Sequence, residues 1–284
     1  MSTSPSLAER ADLVRALGAY AERPTDAMGS VASAIGIDVP SAADYTDLFV
    51  HQLVPYASVY LGPEGGIGGT ARDTIAGFWR AVGLTPPAEP DHLSSLLGLW
   101  ASLAERPGDD AGGALRDHAV GALVWEHLVP WLPPYLARVA EVGARPYAAW
   151  ADILGSLVGA TSASTGLTRL PHHLAVDPAP PTAADDVVPY VLAPARSGLV
   201  LTRSDIARAA AESGLGMRIG ERAYALSAMI DQDADAVFRW IADEASRQAE
   251  GLAGAVGPEV VLDRWQARLA TTRAFLVEGY GGGR

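Results

Sequence analysis

Apolar residues recur every three or four positions through residues 1–164, and this spacing constrains the fold more than any other feature. One such stripe consists of Tyr45, Leu48, Phe49 and Leu53. An α-helix places residues three and four apart on the same face, so each stripe can be buried against a neighbouring helix. The alternation of apolar and polar residues that is typical of a half-buried strand does not occur in this part of the sequence. The sequence therefore predicts an all-α helical bundle.

Residues 165–200 differ in composition from the rest of the chain because they carry six of its 20 prolines. Proline lacks a backbone N–H and is poorly tolerated inside helices and central strands. We predict an ordered arm or linker here, with short extended pieces at 187–191 and 199–201. The predicted organisation is a helical domain of residues 1–164, this proline-rich arm or linker of residues 165–200, and a C-terminal helical extension of residues 201–284.

Short polar patterns predict where three helices begin. Ser41 and Thr202 are each followed three residues later by an aspartate. This is the pattern of a capping box, in which side-chain and backbone groups at a helix start pair reciprocally. In the stretch Glu89-Pro90-Asp91-His92-Leu93, proline disfavours helix at the residue before it, and Asp91 is placed to cap the helix that follows.

The chain is acidic, and its charge is unevenly distributed. The net charge is −12, every basic residue is Arg, and there is no Cys. Residues 1–164 hold 9 Arg against 18 Asp and Glu, which gives −9 for this part. Such a surface disfavours nucleic acid and attracts basic ligands. The lack of Cys excludes a disulfide framework, thiolate catalysis and Cys-ligated metal sites.

No segment of the sequence has the pattern of a targeting or membrane element. Residues 1–23 mix acidic and basic residues without a continuous apolar core, unlike a signal peptide. No later stretch has the roughly 18 uninterrupted apolar residues of a transmembrane-helix candidate. We therefore expect a cytoplasmic protein without stable membrane insertion.

Candidate sites for small ligands lack the expected sequence context. The Gly62–Gly69 loop precedes a helix, as phosphate-binding loops do, but it lacks the Gly-Lys-Ser/Thr ending and contains Glu64. The sequence favours a mobile loop over a nucleotide site there. No G-x-S-x-G or H-E-x-x-H motif is present. His118 and His127, nine residues apart, fall on different faces of a helix. We expect no catalysis, no metal site and no cofactor.

An alternative function rests on residues 202–230, which can be interpreted as a helix-turn-helix. A turn follows Ser213, and several Arg residues lie nearby. DNA binding needs an excess of positive charge, yet residues 196–284 hold 11 Arg against 12 acidic residues. A transcriptional regulator is the alternative hypothesis, and ordinary helix packing is the other explanation of this pattern.

Three segments, in order, resemble the TorD/DmsD/NarJ family of cytoplasmic chaperones for molybdoenzymes. Residues 55–61 read P-Y-A-S-V-Y-L and are similar to the family's P-Y-x-S-V-Y-L segment. Residues 89–93 read E-P-D-H-L and resemble its E-P-x-D-H signature, with the Asp one residue closer to the Pro. Residues 127–131 read H-L-V-P-W, like the family's H-L-x-P-W, and residues 144–147 resemble its turn into the last helix. The resemblance covers about residues 5–164.

This resemblance implies an all-helical chaperone rather than an enzyme. Members of the family bind the twin-arginine signal peptide of a molybdopterin-dependent reductase or dehydrogenase and hold the precursor until its cofactor is inserted. The implied partners are that signal peptide and the body of the catalytic subunit. Residues 165–284 lie beyond the family's usual end. We expect them either to cover the peptide groove as a gate or to contact the client enzyme.

The resemblance also assigns eight residues to peptide binding. Carboxylates pair with guanidinium groups, and an aromatic groove accepts an apolar helix. Glu89 and Asp91 are expected to bind the arginine pair. His92 and His127 are expected to orient the peptide by hydrogen bonds or to make binding pH-sensitive. The groove is expected to be lined by Tyr60, Phe78, Trp79 and Trp131.

Overall fold

The structure, a computed structural model, describes residues 7–105 and 110–280. The prediction of an all-α fold is confirmed, since those two ranges contain helices, turns and irregular segments but no strand. One isolated antiparallel bridge joins Tyr56 to His92.

Up to residue 164 the helices are α1 (Leu7–Tyr20), α2 (Met28–Ile35), α3 (Ala42–Tyr45), α4 (Ala57–Leu61), α5 (Gly69–Ala81), α6 (Leu93–Ala104), α7 (Asp110–Leu123), α8 (Leu132–Val142) and α9 (Arg145–Ser164). Two π-helical segments follow α3 and α7, at Thr46–Gln52 and Val124–Leu128. Beyond residue 164 the helices are α10 (Val187–Val191), α11 (Pro194–Ser197), α12 (Arg203–Ser213), α13 (Arg222–Ile230), α14 (Ala234–Leu252) and α15 (Glu259–Tyr280), with 3₁₀ turns at His172–Leu174 and Ala184–Asp186.

Three helix pairs make the most extensive contacts: α1 with α6, α8 with α9, and α14 with α15. Their apolar faces meet in one continuous core. Fully buried tryptophans come from several parts of the chain, including Trp131, Trp150 and Trp265. The C-terminal helices therefore complete the same core that the first 164 residues begin. The predicted domain boundaries themselves stay a prediction.

Both predicted capping boxes are confirmed. The Ser41 hydroxyl accepts a hydrogen bond from the Asp44 N–H, and the Asp44 carboxylate accepts one from the Ser41 N–H. Thr202 and Asp205 pair in the same way at the start of α12, where both side chains are buried. Each pair satisfies backbone donors that a helix start leaves without an intrahelical acceptor.

The prediction of an extended piece at residues 187–191 is wrong, because this segment forms α10. Val187, Tyr190 and Val191 lie three and four residues apart and bury one helical face. Pro189 does not prevent this, since it lies in the first turn, where proline removes no intrahelical hydrogen bond. Proline content alone therefore gave the wrong conformation for this part of the arm.

Residues 199–201 lie outside any helix. The backbone N–H and carbonyl of Val200 both pair with one side chain, that of Gln248. The Gln248 amide accepts a hydrogen bond from the Val200 N–H at 3.0 Å and donates one to the Val200 carbonyl at 3.3 Å. The side chain thus takes the place that a neighbouring strand would fill. This contact fixes the end of the arm to α14.

A buried ion network joins α8 to the C-terminal extension. The Arg138 side chain is 4% exposed, and its guanidinium lies 2.6 Å from the Asp205 carboxylate and 3.9 Å from that of Glu244. Arg208 contacts both carboxylates, at 3.0 and 2.8 Å. Arg247 donates to Glu244 at 2.8 Å. We call these five residues the buried ion network.

The C-terminal extension packs against α8 through the ion pairs of the buried ion network, so this packing depends on those pairs. Burial alone raises the pKa values of the Asp205 and Glu244 carboxyls, but the Arg side chains around them lower both below the ordinary range. A buried charge without its partner is strongly unfavourable. Separating α8 from α12 and α14 would break the Arg138–Asp205 pair, although Arg138 would keep Glu141 and Asp205 would keep Arg208 as partners. The network therefore opposes detachment of the extension.

We predict that Arg138→Met lowers the free energy of unfolding by about 3–5 kcal/mol, because two buried carboxylates lose a partner. Urea denaturation followed by circular dichroism measures the change. Arg273→Met is the matched control, since Arg273 is an exposed residue of α15. Its effect should stay within about 0.5 kcal/mol. A loss below about 1 kcal/mol for Arg138→Met would contradict the importance of the network.

Candidate functional site

Two of the motif segments pair through their backbones. Residues 55–57 run antiparallel to residues 91–93 and are joined by two hydrogen bonds, of 2.9 and 2.8 Å. This pairing places Tyr56 opposite His92. Their rings meet edge to face, with centroids 4.8 Å apart. Segments that are far apart in sequence thus form one local unit.

Asp91 supports a different helix from the one that the sequence predicts. Its side chain is buried, at 1% exposure, and one carboxylate oxygen accepts a hydrogen bond from the Ser58 N–H at 3.3 Å. Ser58 lies in the first turn of α4, so Asp91 satisfies a donor at the start of that helix. The prediction that Asp91 caps the following helix, α6, is wrong, because the chain turns one residue later than predicted and His92 occupies the cap position.

His92 is the N-cap residue of α6. Its Nδ1 accepts a hydrogen bond from the Ser94 N–H at 3.3 Å and lies 2.7 Å from the Ser94 hydroxyl. That hydroxyl in turn donates to the Glu22 carboxylate. Burial lowers the pKa of His92, although the neighbouring carboxylates of Glu22 and Glu89 oppose the shift. The imidazole is therefore held in one orientation by α6 and by the end of α1.

Glu89 is exposed and stands beside His92. Burial raises the pKa of the Tyr56 hydroxyl, and the nearby Glu89 carboxylate adds to the shift. Two carboxylates, two tyrosines and one imidazole therefore share one partly exposed surface. We call this set the acidic–aromatic cluster, and its members are Glu22, Tyr45, Tyr56, Glu89 and His92.

His92 links two members of the acidic–aromatic cluster, since its ring centroid lies 4.8 Å from that of Tyr56 and its Nδ1 lies 3.7 Å from the Glu22 carboxylate. Burial raises the pKa of Tyr45, Glu22 adds to the shift, Arg23 opposes it and Glu89 adds a smaller contribution. Both carboxylates thus act on the same phenol, although 66 residues of sequence lie between them. A cation with several donors can contact both.

Phe78 and Trp79 lie next to the acidic–aromatic cluster, on α5. The Trp79 indole N–H donates to the Pro90 carbonyl at 3.3 Å, one residue after Glu89. The Phe78 ring lies 4.7 Å from that of His127. Both aromatic side chains are half-buried, so each keeps an accessible face. The structure thus places Trp79 against the backbone beside Glu89 and Phe78 against His127, and their use in peptide binding stays a prediction.

Tyr60 and Trp131 lie in the core and do not line a surface groove in this conformation. Their rings stack with centroids 5.3 Å apart and an interplanar angle of 13°, and Tyr135 packs against both. Tyr60 is 2% exposed and Trp131 is 0% exposed. The Tyr60 hydroxyl donates to the Val54 carbonyl at 3.0 Å. These rings hold α4 against α8 beneath the surface that carries Phe78.

His127 is also buried. It contacts Phe78 on one side, and the His173 ring lies 6.4 Å away. Burial lowers the pKa of His127 to about 4, and His173 adds to this shift. Its Nδ1 has no hydrogen-bond partner in the part of the chain that the structure describes. Near neutral pH His127 is therefore an uncharged core residue.

The Gly62–Gly69 loop is explained by packing. Gly65 has φ +62°, and a Cβ there would lie 2.7 Å from the Leu192 carbonyl oxygen and 2.9 Å from the Ala193 Cα. A side chain is therefore excluded where the arm crosses the loop. The Ser58 hydroxyl accepts a hydrogen bond from the Gly68 N–H at 3.0 Å and fixes the loop's other end. The expected mobile loop is thus held at two points.

Residues 7–105 and 110–280 contain neither a metal-binding cluster nor a membrane-spanning helix. No group of three or more His, Asp or Glu side chains in these ranges is arranged to hold a metal ion. No helix within them is long and apolar enough to cross a membrane.

Sequence reasoning missed Glu22 and Tyr45. Neither belongs to a recognised motif. Only tertiary packing brings Glu22 within 3.7 Å of His92 and Tyr45 near Glu22 and Glu89. Glu22 lies two residues after the end of α1 and is exposed, as many glutamates near helix ends are. A Glu close to a helix terminus is too common to single it out as a binding residue.

We predict that protonation of His127 in the unfolded chain makes the protein acid-sensitive. The ordinary His pKa is about 6.5 and the folded value is about 4, so the unfolded state binds more protons between these values. Stability is therefore lost as the pH falls. Between pH 7 and pH 5 the loss from this residue is about 2 kcal/mol.

Thermal or urea unfolding of the His127→Phe variant at both pH values checks this. The variant keeps a ring against Phe78 and should lose most of that pH dependence. His51→Gln, at an exposed residue, is the control and should retain the parental dependence. An unchanged slope in His127→Phe would show that His127 does not titrate in this way.

Comparison with known proteins places the motif segments in a family. Residues 39–137, about a third of the chain, match the family model described as nitrate reductase delta subunit. All three motif segments, at residues 55–61, 89–93 and 127–131, lie inside the match. The search of curated proteins gives no match. The family consists of chaperones for molybdoenzyme maturation. This central segment is therefore similar to the nitrate reductase delta subunit family, which agrees with the resemblance of its three motifs to the TorD/DmsD/NarJ chaperones.

Proposed function

We propose that the protein binds the twin-arginine signal peptide of a molybdopterin-dependent oxidoreductase. It holds the precursor in the cytoplasm until the cofactor has been inserted, and it catalyses no reaction itself. The observation that carries this proposal is the acidic–aromatic cluster, in which Glu22 joins four residues of the matched segment 39–137. Its exposed carboxylates, Glu22 and Glu89, suit a ligand with two guanidinium groups.

The acidic–aromatic cluster offers three kinds of contact to an arginine pair. The Glu22 and Glu89 carboxylates can each accept two parallel N–H donors from one guanidinium. Tyr56 offers a ring face for a cation–π contact. Lys matches this arrangement less well, because its ammonium is a point charge that neither stacks nor forms a bidentate fork.

The apolar stretch that follows the arginine pair is proposed to run over α5. Trp79 is hydrogen-bonded to the backbone beside Glu89, and Phe78 is its neighbour. The accessible faces of Phe78 and Trp79 thus lie next to the carboxylates of the acidic–aromatic cluster. This matches a leader in which the apolar stretch follows the arginines directly.

The other assigned residues are proposed to act from beneath the surface. Asp91 fixes α4, His92 fixes the start of α6, and the Tyr60–Trp131 stack holds α4 against α8. His127 supports Phe78. Substituting these groups would weaken peptide binding by displacing the residues that contact the peptide.

The C-terminal extension is proposed to contact the body of the client enzyme rather than to act as a gate. The buried ion network fixes it to α8 through Arg138. The Trp265 indole N–H also donates to the Pro130 carbonyl at 2.9 Å, inside the H-L-V-P-W segment. Swinging the extension away would expose both contacts, which makes a stable scaffold the better-supported role.

We predict that a fluorescent twin-arginine leader peptide binds the full-length protein and that replacing both arginines by lysine weakens binding. The double variant Glu22→Gln with Glu89→Gln should weaken it by about tenfold or more, since two charge-assisted pairs are lost. Fluorescence anisotropy measures the affinity, and circular dichroism checks that the fold is retained.

Asp152→Asn is the matched control, because Asp152 is an exposed carboxylate on α9. It should leave the affinity unchanged. Equal affinity for the arginine and lysine peptides would sink the signal-peptide proposal. Tight arginine-specific binding that survives in the double variant would instead place the peptide elsewhere on the protein.

A further inference from the structure

A small pocket lies mostly on the C-terminal extension, and Gln52 of the matched segment also lines it. It has a volume of about 290 Å³ and lies where α12, α13 and the 214–221 loop meet. Arg203 comes from the first turn of α12, Arg222 from the first turn of α13, and Arg218 from the loop. Met217 and Ile219 complete its rim. We call it the arginine pocket.

The three guanidinium groups of the arginine pocket have no carboxylate within ion-pair distance among residues 7–105 and 110–280. Arg203 is exposed, Arg218 donates to the Tyr224 hydroxyl at 3.0 Å, and Arg222 donates to the Leu201 carbonyl. Burial lowers the pKa of Arg222, and Arg203 adds to the shift. In a chain with net charge −12, three adjacent unpaired cations are unexpected.

The rim of the arginine pocket is apolar as well as cationic. The Ile219 side chain is 96% exposed, and that of Met217 is 45% exposed. Single exposed apolar residues are ordinary on a protein surface. Here two exposed apolar side chains and three Arg side chains line the same pocket. This surface can therefore offer both apolar contacts and anion binding.

We propose that the arginine pocket binds an acidic peptide segment of a partner protein, anchored by one large apolar side chain. The carboxylates would pair with the three guanidinium groups, and the apolar side chain would fill the pocket between Met217 and Ile219. Charge complementarity supports this occupant, because Arg–carboxylate pairs are strong and geometrically specific. The pocket is at the lower limit of ligand sites, about 300 Å³, which suits a single anchor.

The helix starts at the arginine pocket differ in a way that supports the same ligand. The first amides of α12 are capped by Thr202 and by the Gln52 side chain, which accepts from the Ser204 N–H at 3.1 Å. No side chain caps α13, although Arg222 and Ala225 of that helix line the pocket. Uncapped N–H groups at a helix start favour an anion.

Nucleic acid fits the arginine pocket less well than an acidic peptide. The loop that joins α12 to α13 covers residues 214–221, whereas a helix-turn-helix uses a turn of about 3–4 residues. Residues 196–284 hold 11 Arg against 12 acidic residues, so the cations do not extend into a basic stripe. We therefore do not expect DNA to bind the arginine pocket, and the experiment includes duplex DNA as a competitor.

The probe is a fluorescein-labelled synthetic peptide with one Phe between two pairs of Asp and Glu, used with the full-length protein. The matched probe carries Asn and Gln in their place. We expect the acidic peptide to bind about tenfold more tightly than the amide peptide, with an affinity that falls as salt rises. The double variant Arg203→Gln with Ile219→Ser should lose about tenfold in affinity.

Both substituted residues are exposed, so the double variant should keep the parental circular dichroism spectrum. Arg273→Gln on α15 is the matched control and should bind the acidic peptide as the parent does. Equal affinity for the acidic and amide peptides, or full affinity in the double variant, would overturn the proposal. So would duplex DNA that displaces the acidic peptide at lower concentration. The inference goes beyond signal-peptide binding, since the Glu22 and Glu89 variants leave this pocket unchanged.

Discussion

The position of Arg138 is the constraint on which much of the structure depends. A guanidinium that is almost fully buried on α8 needs carboxylate partners, and Glu141, Asp205 and Glu244 supply them. Arg138 directly follows the matched family segment, and its partners lie on α12 and α14. The family segment and the C-terminal extension therefore share one core. An appendage joined by a flexible linker would not need such a network.

This shared core explains how the candidate site is held. Trp131, the N-cap of α8, stacks on Tyr60, and Tyr135 of α8 meets Tyr60 edge to face. The Asp91 carboxylate accepts a hydrogen bond from the first turn of α4. The acidic–aromatic cluster lies on the outer side of that arrangement. In the proposed function, exposed carboxylates such as Glu89 would contact the peptide, while buried motif residues fix the positions of those carboxylates.

Much of the fold was predictable from local pattern, but less of the site was. Helical spacing and the two capping boxes depend on residues close in sequence, so the all-α fold and the Ser41 and Thr202 helix starts could be predicted. Whether Tyr60 and Trp131 line a groove depends on which helix faces are covered by later helices. Aromatic residues suit a buried core equally well, so local pattern could not decide between the two. Glu22 could not be found, because its neighbourhood arises only from tertiary packing. The π-helical segments and α10 likewise have no distinctive local signal.

The central claim is that a twin-arginine leader occupies the surface around Glu22 and Glu89. Amide hydrogen–deuterium exchange of the full-length protein, with and without a synthetic leader peptide, tests it most directly. The account predicts slower exchange at residues 21–25 and 88–93, with no change at residues 214–222 on the arginine pocket. Protection confined to the C-terminal extension, or no protection at residues 88–93 under saturating peptide, would contradict it.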